Sequence, residues 1–196
     1  MIGANVLALP FLRVLRDIFM ELSVGQKVAY PNQGVCLVEE FKSYKVAGGS
    51  MSGYSLRVLN DNSTIFVPEA SADCIGLRPL ISTKQCKCLI ELLGEDFDDV
   101  SLDWKTRSKE FIEKLRSGDL FEVADVLKKL TYLSHEKKLS FREQTLMEKA
   151  RFLIVSELSN ADAKHQNHVD SEVARLVASA CAKHQETHPE ALAAVH

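Results

Sequence analysis

The stretch Val24–Phe41, VGQKVAYPNQGVCLVEEF, decides the fold of the first third of the chain. Apolar and polar residues alternate on both sides of a Pro-Asn-Gln-Gly turn, which is the pattern of a β-hairpin. Five short strands joined by tight turns leave few open sheet edges if they curl, so a small β-barrel is expected, with one edge free for a partner strand. The predicted strands are Lys27–Tyr30, Val35–Phe41, Tyr54–Leu59, Thr64–Val67 and Leu77–Ile81, with turns at PNQG, AGGSMSG and NDNS.

From about Thr83 the apolar residues recur with the period of a helix. Gly118 fits a helix C-terminal cap, Asp119 fits the next N-cap, and Ser140 with Glu143 fits a capping box. The predicted helices span 83–93, 103–117, 119–135, 141–159 and 170–184, and the acidic stretch GEDFDDVS at 94–101 is predicted to be a hinge. We therefore expect an α+β fold, divided into an extension at 1–19, a barrel domain at 20–82, an all-α domain at 83–184 and a tail at 185–196.

The net charge of the 196-residue chain is -3, which excludes a polycation that binds nucleic acid through its overall charge. Five cysteines without a CxxC pair suggest neither a disulfide framework nor a zinc site, and we expect reduced thiols in a cytosolic protein. His184 and His188 could share one helical face, as could His165 and His168. Solvated surface histidines are the favoured interpretation, ahead of metal ligands.

Residues 1–19 are apolar enough to look like an export signal, but they lack a basic start. Pro10, Arg13 and Asp17 interrupt the apolar run well short of the roughly 20 residues that a membrane span needs. The periodic pattern begins right after Met20. These residues are therefore expected to be either an upstream extension from a misassigned start codon or an amphipathic leader.

Catalytic motifs such as a nucleophile elbow, a phosphate loop or HExxH do not occur in the sequence. The glycines of AGGSMSG, which are Gly48, Gly49 and Gly53, lack the spacing of a dinucleotide fingerprint and are predicted to form a hairpin tip. No catalytic residue, metal site or cofactor is therefore predicted. An enzyme built on the helical bundle is the weakest alternative, since it would need a pocket with convergent titratable groups.

The segment LDWKTRSKEFIEKLRSGDL at 102–120 contains the only tryptophan, Trp104, in the predicted first turn of a helix rich in Lys and Arg. A ring flanked by basic residues suits stacking on nucleic acid with neighbouring phosphate contacts. However, Trp104, Phe111 and Leu115 also share one helical face, which is the pattern of a buried seam, and spacing alone favours that core role. Residues 101–151 carry twelve Lys or Arg against nine Asp or Glu, an excess that permits phosphate contacts without requiring them.

The segment STIFVPE also has two interpretations. It is either a core strand that ends at Pro68 or an edge strand, because proline cannot donate to a sheet ladder. An edge strand would be open to a partner chain that adds by β-augmentation.

Five segments stand in unbroken order between about Leu22 and Leu158: VGQKVAYPNQGVCLVEE, TIFVPEASADCIGLRPLIS, LDWKTRSKEFIEKLRSGDL, EVADVLKKL and EKARFLIVSEL. Together they resemble the CarD/CdnL family of bacterial RNA polymerase-binding transcription regulators. The resemblance implies a Tudor-like barrel that docks on the β subunit of RNA polymerase. It also implies a compact helical domain that contacts promoter DNA at the upstream edge of the transcription bubble and stabilises the open promoter complex, without enzymatic activity.

By motif, the resemblance assigns to Trp104 a minor-groove wedge that hinders bubble closure, with Lys105, Arg107 and Lys109 holding the neighbouring DNA backbone. It assigns polymerase binding to Tyr44, Lys45, Thr64, Ile65, Phe66, Val67 and Pro68. Some relatives carry arginine at the positions of Phe66 and Tyr44, and part of the family carries it at Thr106. We therefore expect a more apolar docking surface in this chain.

The expected partners are the RNA polymerase β subunit and promoter DNA within the sigma-containing holoenzyme. No cofactor, membrane or small-molecule substrate is expected, and the expected location is the cytoplasm, at the nucleoid through RNA polymerase. The alternative is a protein-interaction adaptor that uses the barrel without contacting DNA.

Overall fold

The computed structural model of the protein describes residues 22–46, 49–101, 103–161 and 168–188. The predictions for residues 1–19 and for most of the tail lie outside these ranges. No helix within the ranges is long and apolar enough to cross a membrane.

The N-terminal region is an antiparallel sheet of five strands in the order β4-β3-β2-β1-β5. The strands are β1 (Lys27–Tyr30), β2 (Gly34–Val46), β3 (Gly49–Val58), β4 (Thr64–Pro68) and β5 (Arg78–Pro79). The apolar core of this region includes the fully buried side chains of Val28, Val38 and Leu56. Because β4 lies at the end of the strand order, the edge-strand interpretation of STIFVPE is confirmed.

The β2–β3 hairpin is longer than predicted. Pairing continues to Val46 opposite Gly49, so Gly53 lies within β3 and not at the predicted hairpin tip. Gly49 is the first residue of β3, and Gly48 lies outside the described residues. The ladder hydrogen bonds come from backbone groups, and a run of small residues can therefore extend a strand without burying side chains. The PNQG and NDNS turns are confirmed, with Asn32 and Asn62 in the left-handed backbone region that asparagine tolerates well.

The C-terminal region is helical, as predicted. A 3₁₀ turn and a four-residue helix, which were not predicted, first connect β4 to β5. The helices are α1 (Ala72–Ile75), α2 (Thr83–Leu93), α3 (Trp104–Ser117), α4 (Leu120–Glu136), α5 (Phe141–Ala161) and α6 (Val169–Thr187). The five longer ones agree with the predicted spans to within a few residues, and the α+β class is confirmed.

Capping residues explain why the predicted boundaries are close to the observed ones. Gly118 ends α3 with φ of 75°, and the Asp119 carboxylate accepts a hydrogen bond from the backbone N–H of Phe121. Ser140 and Glu143 form the predicted capping box at the start of α5, with distances of 3.0 and 3.3 Å.

The segment between α2 and α3, predicted to be a hinge, is anchored to the helical core. The Phe97 side chain is buried there. The Lys128 ammonium group donates to the backbone oxygens of Leu92 at 2.9 Å and of Glu95 at 3.2 Å, and burial lowers the pKa of Lys128. A buried ring and a buried ammonium group therefore hold this segment in place, which argues against a hinge.

Arg78 joins the sheet to the helices. Its guanidinium donates to the carbonyl oxygen of Gly118 at 2.7 and 3.1 Å and to both carboxylate oxygens of Glu157 at 2.5 and 3.0 Å. Glu157 also accepts the backbone N–H of Ile81 at 2.9 Å. Pro31 lies directly against Gly118, where an added Cβ would come within 3.0 Å of the proline ring. We call Pro31, Arg78, Gly118 and Glu157 the domain joint.

Candidate functional site

Trp104 is the first residue of α3, and 59% of its surface is exposed. Phe111 and Leu115 are buried as the helical seam predicts, but the buried position one turn before Phe111 belongs to Arg107. The interpretation of Trp104 as a core residue is therefore wrong. A large aromatic side chain in this position is available to a partner.

The first turn of α3 is fixed by its N-cap residue, Asp103. Its carboxylate accepts the backbone N–H of Lys105 at 3.3 Å and of Thr106 at 3.0 Å. The Thr106 hydroxyl donates to the same carboxylate, and these hydrogen bonds, that of the hydroxyl first, lower the pKa of Asp103. Threonine at position 106, where part of the family has arginine, thus strengthens the cap next to Trp104.

Arg107 is buried and connects two helix N-termini. Its guanidinium donates to the backbone oxygen of Ser101 at 2.6 Å and to the Glu143 carboxylate at 2.9 Å. Burial alone would raise the pKa of Glu143, but hydrogen bonds from Arg107 and Ser140 outweigh it and lower the pKa to about 2. The prediction that Arg107 holds the DNA backbone does not fit this geometry, since a side chain only 4% exposed cannot reach a phosphate. Its role here is to position the start of α3.

The other two predicted DNA contacts are exposed on α3. The Lys105 ammonium group lies 5.8 Å from the centroid of the Trp104 ring, close enough for a cation–π contact. Lys109 is largely exposed, with Glu113 at 4.0 Å. Lys114, in contrast, is engaged by Asp125 at 2.7 Å. Lys105 and Lys109 thus remain the α3 candidates closest to Trp104 in sequence.

A second exposed aromatic residue, Phe141, begins α5 and was missed by the sequence analysis. It is 85% exposed, and Lys137, Lys138 and Arg142 beside it are exposed too. A signal was present in the sequence, because Phe141 is nine residues before the buried Ala150 and so on the opposite side of a helix with 100° per residue. A groove of about 320 Å³ extends between Trp104 and Arg142, over Phe111 and Leu146. We call Trp104, Lys105, Lys109, Phe141 and Arg142 the helix-tip surface.

The predicted polymerase-binding residues lie on β4 and on β2, with β3 between the two strands. Tyr44 and Phe66 form an edge-to-face pair with centroids 5.1 Å apart. Lys45 and Thr64 are exposed, whereas Ile65 and Pro68 are partly buried. The Val67 side chain is buried in the sheet core, opposite Tyr54, so only its backbone can meet a partner.

Gly53 on β3 leaves room for the Phe66 ring, which reaches over this position from β4. A Cβ at this position would collide with the carbonyl oxygen of Val67 and would lie 2.7 Å from Phe66 Cζ. The glycine therefore has a packing role, which the hairpin-tip interpretation overlooked. Met51, opposite Tyr44 on β3, is also exposed. We call Tyr44, Met51, Phe66 and the β4 edge the strand-edge surface.

The five cysteines have free thiols in the structure. Burial is the main cause that raises the pKa of the Cys36 and Cys181 thiols to about 11, so both stay protonated at neutral pH. The histidine prediction is wrong in one respect: His184 is fully buried rather than solvated, and its Nδ1 lies 2.8 Å from an Asp96 carboxylate oxygen.

Comparisons with known proteins agree with this division into two regions. Residues 22–81 match the family described as the CarD-like/TRCF RID domain, and residues 88–174 match the family described as the CarD C-terminal domain. A curated relative, "Putative transcription factor YdeB" of Bacillus subtilis (strain 168), is 24% identical over 135 residues, which make up 69% of this chain and 88% of that protein.

Proposed function

Because this chain belongs to the CarD family of transcription factors, whose RID domain implies interaction with RNA polymerase, we propose that it stabilises the open promoter complex. The strand-edge surface binds the β subunit of the polymerase. The helix-tip surface contacts promoter DNA at the upstream edge of the bubble, where Trp104 enters the minor groove. The single observation that carries the proposal is the exposure of Trp104 at a capped helix N-terminus.

Three features support a protein partner at the strand-edge surface. The edge strand β4 offers backbone groups to an added strand. The exposed Tyr44 and the partly buried Phe66 form an aromatic pair, and aromatic residues are enriched at interfaces. Neither aromatic carries a charge, which agrees with the apolar docking surface expected from the sequence. In this proposal Thr64 and Lys45 lie at the rim of the contact.

The helix-tip surface suits a distorted DNA duplex. The exposed ammonium groups of Lys105 and Lys109 favour phosphates nearby. An apolar ring inserted between base pairs costs a few kcal/mol of unstacking, and this cost falls where the duplex is already open. Trp104 therefore favours the edge of a bubble over closed DNA, and a factor that binds the open form more tightly shifts the equilibrium toward it.

The lifetime of open complexes on a promoter, formed with the cognate holoenzyme, tests the proposal. We expect the wild-type protein to lengthen the lifetime several-fold and Trp104→Ala to abolish the effect, with Trp104→Phe keeping part of it. Lys84→Ala, which removes an exposed lysine on α2, is the matched control and should behave as wild type. If Trp104→Ala lengthened the open-complex lifetime as much as the wild-type protein does, the wedge mechanism would be contradicted.

Binding to the isolated β subunit separates the proposal from the adaptor alternative. We expect Phe66→Asp to weaken this binding at least tenfold, because it places a charge on the apolar strand-edge surface, and Trp104→Ala to leave it unchanged. If the protein bound the β subunit but did not lengthen the open-complex lifetime, it would be an adaptor. If Phe66→Asp bound normally, the strand-edge assignment would be wrong.

A further inference from the structure

Two histidines and two aspartates converge where the C-terminal end of α6 meets the segment between α2 and α3. They are Asp96, Asp99, His184 and His188, and we call them the His184 cluster. Within the described parts of the chain, Asp96, His184 and His188 each bring a possible metal-ligand atom within 4.8 Å of the other two. The cluster is separate from the strand-edge and helix-tip surfaces.

The His184 ring is held by three neighbouring rings and at one nitrogen. Phe97 and His188 stack on it at centroid distances of 4.1 and 4.7 Å, and Tyr132 meets it edge-on at 4.8 Å. Its Nδ1 lies 2.8 Å from an Asp96 carboxylate oxygen, which is a hydrogen-bond distance. In the tautomer that donates Nδ1–H to Asp96, the lone pair available to a metal is on Nε2.

The Nε2 atom of His184 is buried and has no hydrogen-bond partner among the described residues. It points to a carboxylate oxygen of Asp99 at 3.7 Å. The same oxygen lies 3.4 Å from Nδ1 of His188. Ligand atoms bound at about 2.0–2.1 Å to a tetrahedral ion are roughly 3.3 Å apart, so these separations are close to those of a metal site.

We propose that His184, His188 and Asp99 bind a transition-metal ion of the Zn²⁺ class through Nε2, Nδ1 and a carboxylate oxygen, respectively. Asp96 acts from the second shell, since its hydrogen bond to Nδ1 selects the tautomer and orients the ring, as carboxylates do for metal-bound histidines. Two imidazoles with one carboxylate suit Zn²⁺, whereas Mg²⁺ and Ca²⁺ prefer oxygen ligands throughout. The His188 ring, now stacked on His184 at 4.7 Å, turns toward the ion, and its partial exposure allows that rotation.

A metal at the His184 cluster would tie the end of α6 to the segment that leads into α3. That segment already contributes the backbone oxygen of Ser101 to Arg107. The ion therefore fixes the approach to Trp104 from a distance, without belonging to the helix-tip surface. The metal site is a separate claim from the proposed function, and Zn²⁺ binding can be measured without polymerase or DNA.

Titration of ZnCl₂ into the full chain, with the heat of binding measured by calorimetry, tests the site. We expect one Zn²⁺ per chain with micromolar or tighter affinity, and an increase of several degrees in the thermal unfolding midpoint on saturation. His188→Ala and Asp99→Asn should each weaken binding at least tenfold. Both residues are at least partly exposed, so these variants should still fold.

His135→Ala is the matched control, because it removes an exposed histidine from α4, outside the cluster. It should bind Zn²⁺ as tightly as wild type, and MgCl₂ should give no heat of binding with any variant. Absence of Zn²⁺ binding would overturn the proposal. So would a loss of less than tenfold in either cluster variant, or an equal loss in His135→Ala.

Discussion

The strand-edge surface and the helix-tip surface both expose aromatic rings, but they hold them in different ways. Tyr44 on β2 and Phe66 on β4 pack against each other across the intervening strand β3, over Gly53, which leaves room for the Phe66 ring. Among the described residues no aromatic ring pairs with Trp104, which depends on the capped first turn of α3 for its position. The sheet thus offers a packed aromatic pair, whereas the start of α3 offers an exposed ring with Lys105 beside it.

The domain joint connects the sheet, which carries the strand-edge surface, to the helices, which carry the helix-tip surface. Its disruption should have the largest effect on stability. Glu157→Ala should lower the free energy of unfolding by about 3–5 kcal/mol, because it leaves the Arg78 guanidinium and the Ile81 N–H without their buried partner. Chemical denaturation monitored by circular dichroism measures the loss. Two separate transitions in the variant would show that the sheet and the helices can unfold independently.

Glu148→Ala, which removes an exposed carboxylate from the same helix, is the control and should change the free energy of unfolding by less than about 0.5 kcal/mol. Equal stability of both variants would mean that Arg78 and Glu157 contribute nothing to the joint.

Gly53→Val should disturb the strand-edge surface and spare the helix-tip surface. The added side chain collides with the Val67 carbonyl and the Phe66 ring, and overpacking of this kind costs about 1–3 kcal/mol. Binding to the polymerase β subunit should weaken as Phe66 is displaced. Gly49→Val, where no neighbour lies within 4 Å of an added Cβ, is the matched control. If Gly53→Val and Gly49→Val bound the β subunit equally tightly, the close approach of Val67 and Phe66 to Gly53 would not matter for polymerase binding.

Acid should affect the helix-tip surface through Glu143. Its pKa in the folded protein is about 2, below the ordinary value of 4.5, so the unfolded chain binds more protons between these values. The stabilisation from Glu143 is therefore fully present above pH 4.5 and is lost as the pH falls toward 2. Replacement of this carboxylate should cost about 1.5 kcal/mol at pH 7.

Glu143→Gln should flatten the pH dependence of the free energy of unfolding between pH 4.5 and 2. Denaturation at several pH values measures the slopes, and Glu148→Gln supplies the reference for an exposed carboxylate on the same helix. An identical slope in wild type and Glu143→Gln would show that the bond to Arg107 does not lower the pKa in solution.

The smallest expected effect on stability belongs to Trp104→Ala. The ring is mostly exposed, so its removal should change the free energy of unfolding by no more than about 0.5 kcal/mol. Thermal and chemical denaturation test this expectation. A loss above about 2 kcal/mol would mean that Trp104 contributes to the core, and the open-complex experiment with this variant could then not be interpreted.

Periodicity and capping residues were sufficient to predict the five strands and the five longer helices, but not the 3₁₀ turn or α1, because these signals act locally. The period of two located the strands, and Gly118, Asp119 and Ser140 marked helix ends close to their observed positions. The AGGSMSG run was predicted to be a turn, but its residues 49–53 belong to β3. Backbone hydrogen bonds make the ladder there, and they leave no pattern in the side chains.

The site was harder to predict from sequence, because burial depends on residues distant in the chain. Trp104 and Phe111 share a helical face, yet only one of them has neighbours that cover it. Arg107 looks like a surface cation until Glu143, 36 residues later, is brought beside it. The domain joint was likewise invisible, because Arg78 meets Glu157 across 79 positions.

The domain joint also bears on affinity in the proposed complex. A stiff connection keeps the second surface near its target once the first has bound, so the second contact forms at a high effective concentration. Even a weak wedge would then stay occupied for as long as the polymerase is held. A longer or looser connection would lower the effective concentration of Trp104 at the promoter, even if every residue that contacts DNA remained the same.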